Sequence, residues 1–494
     1  IRNPINANGD ILDAFDAITY RKGGSVLNMF ETYLGEEDFR AGIRLHMKRF
    51  EDGVADADDF MQSIADGSGQ PEIVSSFTSY ISQPGIPSLD VAVSCPAPDA
   101  GLITITQKRY APLGSDIDPD AQVWEIPFAA RINGPTGDRT IRQMLKDRVT
   151  EIPLDGGCAD WVMPNADGTG YWRFDTGSDN LNALIDAYDS LSDGEQILFA
   201  DALESGFRAG RISIEDLKRG IEATTSGHPR AVSEATGVIP TLNRLLDESG
   251  QENLRAWVQA TFGPLAEYLE SRPATALSQQ EVLLRDKIYS LLLEYGDRPE
   301  DRSALLDRAQ RYIGANGTPD QSALPPEDLG IAMKIGAEDG GPAFYDAATA
   351  YLPSVTNQTE RRTLLAALAN RGDESMVEDL FAESLKGSYS ADEVFAVVSS
   401  ALSNDSAKDR AWEIFMAEFG AIVARMPEIR KPQLAGMTGY VCSVQKSSDI
   451  AAFFETKGAL IPGYERSLAQ GVERAQLCSA LKTQKALDVK NAFQ

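Results

Sequence analysis

The spacing of apolar residues changes twice along this chain, and that constrains the fold more than any other feature. Apolar positions recur at helical spacing from Lys22 to Ile81, alternate between Leu89 and Ile132, and return to helical spacing beyond Gly177. A helix buries a stripe with a period of about 3.6 residues, whereas a strand buries every second side chain. No single layer satisfies both patterns, so helical, sheet and helical parts must follow one another in series. In the first part Val26, Leu27, Phe30, Tyr33 and Leu34 form one stripe, and after a break at Gly35 the residues Phe39, Ile43, Met47 and Phe50 form a second. Asp58 is expected to cap a short helix carrying Phe60 and Ile64, and Pro71 to start one carrying Ile73, Val74, Phe77, Tyr80 and Ile81. The run QPGIP, from Gln83 to Pro87, ends helix formation.

Leu89, Val91, Val93 and Cys95 alternate in the middle part, Ile103 and Ile105 follow, and Trp124, Ile126, Phe128, Ala130 and Ile132 share one strand face. Turn clusters at Pro96 to Gly101, Gly114 to Asp120 and Asn133 to Asp138 separate these runs, and Trp161, Tyr171 and Trp172 are placed on later short strands. The expectation is a small antiparallel β-sandwich. Apolar stripes then mark helices or parts of helices at Leu191 to Ala209, Glu281 to Tyr295, Arg361 to Leu368, Ser375 to Leu385, Asp392 to Leu402, Arg410 to Met426 and Ile450 to Phe454. Short polar connections such as GDRPED and SNDSAKD join them, which predicts a HEAT-like α-helical superhelix. The fold class read from the sequence is therefore mostly α, with boundaries at 1–83, 84–176 and 177–494. The length of 494 residues agrees with more than one core.

A net charge of -28 opposes sequence-independent binding to nucleic acid or to an anionic membrane. No apolar run approaches the ~20 residues needed to span a bilayer. Four cysteines, Cys95, Cys158, Cys442 and Cys478, fall as one pair in the sheet part and one in the last helical part, and none forms C-x-x-C. Buried free thiols are the preferred expectation. Two disulfides in an exported protein are the alternative, so the compartment stays open, leaning towards the bacterial envelope with the cytoplasm as the alternative. The only histidines, His46 and His228, lie far apart and read as packing or surface residues. Lys22-Gly23-Gly24 lacks the earlier glycine and the following Ser/Thr of a phosphate loop, GTG at Gly168 to Gly170 reads as a strand-entry turn, and no G-x-S-x-G is present. Gly23 and Gly24 permit close helix entry, with Ser25 as the cap and Lys22 either supporting a site electrostatically or paired structurally.

One stretch carries chemistry. Residues 14 to 50, AFDAITYRKGGSVLNMFETYLGEEDFRAGIRLHMKRF, resemble a corner of the zinc aminopeptidases of the M1 (gluzincin) family, whose Y-x-K-G element reads here as Tyr20, Arg21, Lys22 and Gly23. QPGIP, WEIPF and GTGYWRF look like that family's sandwich domain, and Leu191 to Leu217 resembles the opening helix pair of its C-terminal superhelix. The resemblance implies that Tyr20 is the catalytic tyrosine, donating a hydrogen bond to the oxyanion formed during peptide hydrolysis. It implies zinc as the cofactor of the full-length enzyme and peptides as substrates. No H-E-x-x-H and no G-x-M-E-N occurs in the chain, so no zinc is expected in it and it is expected to be inactive alone. The opening IRNPINANGDI reads as the start of a C-terminal portion whose partners are the missing N-terminal and catalytic domains. No substrate-binding residue is assigned, and the oligomeric state is left open. A non-catalytic α-solenoid that binds partners, with a β-sandwich module, is the competing reading.

Overall fold

The computed structural model describes residues 18–97 and 100–494. Residues 14–17 of the family-like stretch, and residues 98 and 99 of the expected turn after Pro96, lie outside the described residues. The chain forms two compact units, the first ending at Arg244 and the second running Leu245–Gln494.

In the first unit a single π-turn, Ile18–Lys22, runs directly into helix α1 (Gly23–Leu34). Helices α2 (Glu36–Arg49), α3 (Ala57–Ser68) and α4 (Ile73–Ser82) follow. Phe30 of α1 stacks on Phe77 of α4 with ring centroids 3.7 Å apart. Several local expectations need correction. Ser25 lies inside α1 and caps nothing, because the π-turn already supplies the preceding helical backbone. The cap of α3 is Asp56, whose extended backbone lets its carboxylate accept from Asp58 N and Asp59 N, while Asp59 closes the box. Pro71 precedes α4 by a turn instead of opening it. Along α2 the expected stripe is half-buried at Phe39 and Ile43 and 67% exposed at Met47. Its buried residue is Gly42, because a Cβ at Gly67 would lie 2.4 Å from the Gly42 Cα; the two helices cross glycine against glycine.

Among the described residues seven strands build two sheets: β1 (Pro87–Ala97), β2 (Ala100–Arg109), β3 (Ile126–Asn133), β4 (Arg139–Leu145), β5 (Val149–Leu154), β6 (Trp161–Met163) and β7 (Arg173–Asp175). Their orders are β5-β2-β1-β7 and β4-β3-β6. Pairing is antiparallel except between β1 and β7. Leu89, Val91, Ile103 and Ile105 of one sheet, and Phe128, Ala130 and Ile132 of the other, are buried as the alternation requires. Tyr171 and Trp172 precede β7 and sit on no strand, since Trp172 donates through Nε1 to Pro164 O at 3.0 Å and packs on Phe128.

The free-thiol expectation is overturned. Cys95 bonds to Cys158 and Cys442 to Cys478, with Cα separations of 5.3 and 5.2 Å. The first bond joins β1 to the loop after β5; the second joins the loop after Tyr440 to the long helix Glu465–Ala492.

Beyond β7 come α5 (Gly177–Asp186), α6 (Asp193–Arg208) and α7 (Ile214–Thr224). Arg131 of β3 binds them to the sandwich. Its guanidinium donates through Nε to both carboxylate oxygens of Glu195, at 3.0 and 3.1 Å, and lies over the Trp161 ring. Glu195 also closes the capping box that Ser192 opens at the start of α6.

In the second unit successive helices pack pairwise. Helix Leu329–Asp339 lies against Gln358–Arg371, which lies against Ala391–Leu402, while the intervening Glu374–Ser384 packs beside Ala391–Leu402 and Lys408–Ala417. Alternate helices are thus spatial neighbours, as in a stack of helical hairpins. Their core contains Leu364, Phe381, Val397 and Phe415. A mostly α fold with a small β module and a helical C-terminal part is what the two changes of period predict.

Candidate functional site

Tyr20 projects from the π-turn at 62% exposure, so it is not a core tyrosine packed under α1. An extra residue in a helical turn bulges the backbone and re-aims the side chains on it, which is why such turns recur at functional sites. Downstream, α1 is anchored on one face by Val26, Met29, Phe30 and Leu34, all buried. Met29 sulfur accepts from Tyr171 N at 3.3 Å, which ties the helix to the segment before β7.

Two residues after Tyr20, Lys22 is buried, with its ammonium donating to the carbonyl oxygens of Gln83 and Gly85 at 3.4 and 3.1 Å. The same group lies 5.9 Å from the centre of the Tyr171 ring. Burial, and then the nearby Arg109 charge, hold its pKa below the ordinary lysine value. The bonds Lys22 makes are those of a structurally paired lysine. The bonds fasten the Tyr20 turn to the loop entering the sandwich, a loop that sequence alone marks only as a helix stop. Nothing in residue type or spacing announced Gln83, Gly85 and Tyr171 as partners, because two of the three contribute backbone carbonyls and the third a ring face.

Lys22→Met keeps the apolar stem but removes the donors, leaving two carbonyls without them at a cost of about 1–3 kcal/mol. Denaturant unfolding checks this expectation, with faster amide exchange from Ile18 to Gly24 as the local sign.

The histidines do not converge. His46 Nδ1 lies 3.3 Å from Ser63 Oγ, with its ring against Phe50 and Phe60. His228 Nδ1 accepts from Arg230 N and caps the helix Pro229–Ala235. Every cysteine is in a disulfide, and among the described residues no three His, Cys, Asp or Glu side chains are grouped to hold a metal. These donors, among the described residues, do not assemble a zinc centre.

The model of the peptidase family M1 domain matches residues 1–80, which include Tyr20 and Lys22, and that of the ERAP1-like C-terminal domain matches residues 161–477, most of the chain. The chain belongs to the M1 aminopeptidase family. It is 24% identical over 392 residues to "Puromycin-sensitive aminopeptidase" of Caenorhabditis elegans, covering 76% of this chain and 40% of that protein. Over 487 residues it is 26% identical to "Probable aminopeptidase 1" of Saccharolobus solfataricus, covering 96% and 55% respectively. "Aminopeptidase M1" of Arabidopsis thaliana is 21% identical over 510 residues, with 96% and 54% covered. The M1 chain spans about half the length of the curated relatives it matches. Among its described residues no helix is long and apolar enough to cross a membrane.

Proposed function

We propose that this chain is part of a zinc aminopeptidase that removes N-terminal residues from peptides, and that it supplies the oxyanion donor and the walls of the substrate chamber. The observation that carries the reading is the exposed Tyr20 on a clamped π-turn inside the segment matched by the M1 domain model. Attack on a peptide carbonyl places negative charge on its oxygen, and a neutral phenol O–H held nearby stabilises that charge without a proton being transferred. The buried α1 face and the Lys22 clamp hold the donor in place before substrate arrives, so its reorganisation costs little at the moment of reaction.

Zinc, the family's hydrolytic metal, is supplied on this reading by residues of the full-length protein outside this chain. The helical C-terminal part walls the chamber and admits short or unfolded peptides. The paired cysteines favour an exported enzyme, because such bonds persist in oxidising compartments. A purely scaffolding solenoid has no use for an exposed tyrosine on a fixed turn. Steady-state kinetics of the full-length protein and its Tyr20→Phe variant on aminoacyl fluorogenic substrates test the proposal, with the expected loss given below.

A further inference from the structure

Strand β1 is paired unequally on its two sides. β2 accompanies it from Pro87 to Ser94 and again at Ala97, whereas β7 pairs with it only from Ser88 to Asp90. Past Asp90, the side of β1 away from β2 has no neighbouring strand among the described residues. An open groove of about 870 Å³ borders that side and extends over the sheet face at Thr104 and Thr106 of β2, and the consecutive residues Asp90 to Cys95 line it. Successive side chains of a strand point to opposite faces, so a consecutive run along one groove means that the strand's edge borders it. The facing wall is made by Ala159, Asp160 and the first turn of α5, including Asp179. The Cys95–Cys158 bond holds the loop bearing Asp160 against the end of β1.

An exposed strand edge offers a row of N–H and C=O groups to another extended chain. At about 3.4 Å per residue, the stretch from Val91 to Cys95 matches roughly five residues of such a chain. Charge selects the occupant. Asp90 is neutralised by Lys108 at 2.7 Å and by Arg211, while Asp160, Asp175 and Asp179 form no ion pair among the described residues. Arg211 also lines the groove, and against its single positive charge the four aspartates leave the groove anionic. The geometry points to a peptide-docking site in which an extended segment bearing lysine or arginine adds to β1 as a further strand, separate from any chemistry at Tyr20.

The test uses the full chain and a heptapeptide of alternating lysine and threonine, acetylated at its N-terminus so that it offers no free α-amino group to an aminopeptidase while its lysine ammonium groups stay charged. Saturable binding by calorimetry is expected, together with slowed amide exchange at Val91 to Cys95 that leaves β3 and β4 unchanged. A glutamate and threonine counterpart should not bind, and Asp160→Asn with Asp179→Asn should weaken the lysine peptide by about tenfold. Should that variant misfold, the exchange pattern of the unsubstituted chain decides alone. Absence of binding at millimolar peptide overturns the assignment, as does equal affinity for the glutamate peptide or binding without protection of Val91 to Cys95. Protection that grows with chain concentration in the absence of peptide assigns the edge to a second copy and also overturns it.

Discussion

Tyr20→Phe in the full-length protein is expected to lower kcat by about 10²- to 10³-fold, roughly 3 kcal/mol of transition-state stabilisation. The substitution removes one O–H donor and leaves the ring. Because the side chain is 62% exposed, little packing is disturbed and the melting temperature should stay close to that of the parent. KM should change little if the donor acts on the oxyanion and hardly on the ground-state carbonyl. A structural tyrosine would give the reverse pattern, with stability lost and turnover by the folded protein retained. Near-normal kcat would remove Tyr20 from the mechanism while leaving family membership untouched.

Arg131→Met should destabilise the first unit by about 3–5 kcal/mol, the usual result of stripping the partner from a buried ion. The Glu195 side chain has no exposure, and Arg131 is only 16% exposed. Without the guanidinium, the carboxylate keeps its bonds from Ser192 N at 2.9 Å and Asp167 N at 3.3 Å but loses its neutralising charge. Calorimetric or denaturant unfolding measures the loss. The double replacement Arg131→Met with Glu195→Gln should recover part of it, because no buried charge then remains unpaired. Equal destabilisation by the single and double variants would show that the lost cation-π and packing contacts dominate.

The architecture was legible because burial obeys period. Ile126, Phe128, Ala130 and Ile132 alternate in sequence and are all fully buried on β3, and the stripes after Gly177 became helices that stack on alternate neighbours. Local details were less legible where competing residues satisfy the same rule. Asp56, Asp58 and Asp59 are all fit to cap a helix, and only the extended backbone at Asp56 selects it. Cysteine pairing was hidden because separations of 63 and 36 residues say nothing about which chain ends the fold brings together. At the candidate site, Tyr20 and Lys22 were visible through a family-like motif. The use of Lys22 as a clamp was not, since a lysine donating to backbone carbonyls leaves no mark at the receiving positions.

On the function proposed above, this chain contributes a hydrogen-bond donor and chamber walls to an M1 aminopeptidase whose zinc is held by residues elsewhere in the protein. Metal analysis and aminopeptidase turnover, measured side by side on this chain and on the full-length protein, test it most directly. Stoichiometric zinc and turnover are expected in the full-length protein, and neither is expected in the chain alone. Stoichiometric zinc with metal-dependent turnover in the chain alone would contradict it.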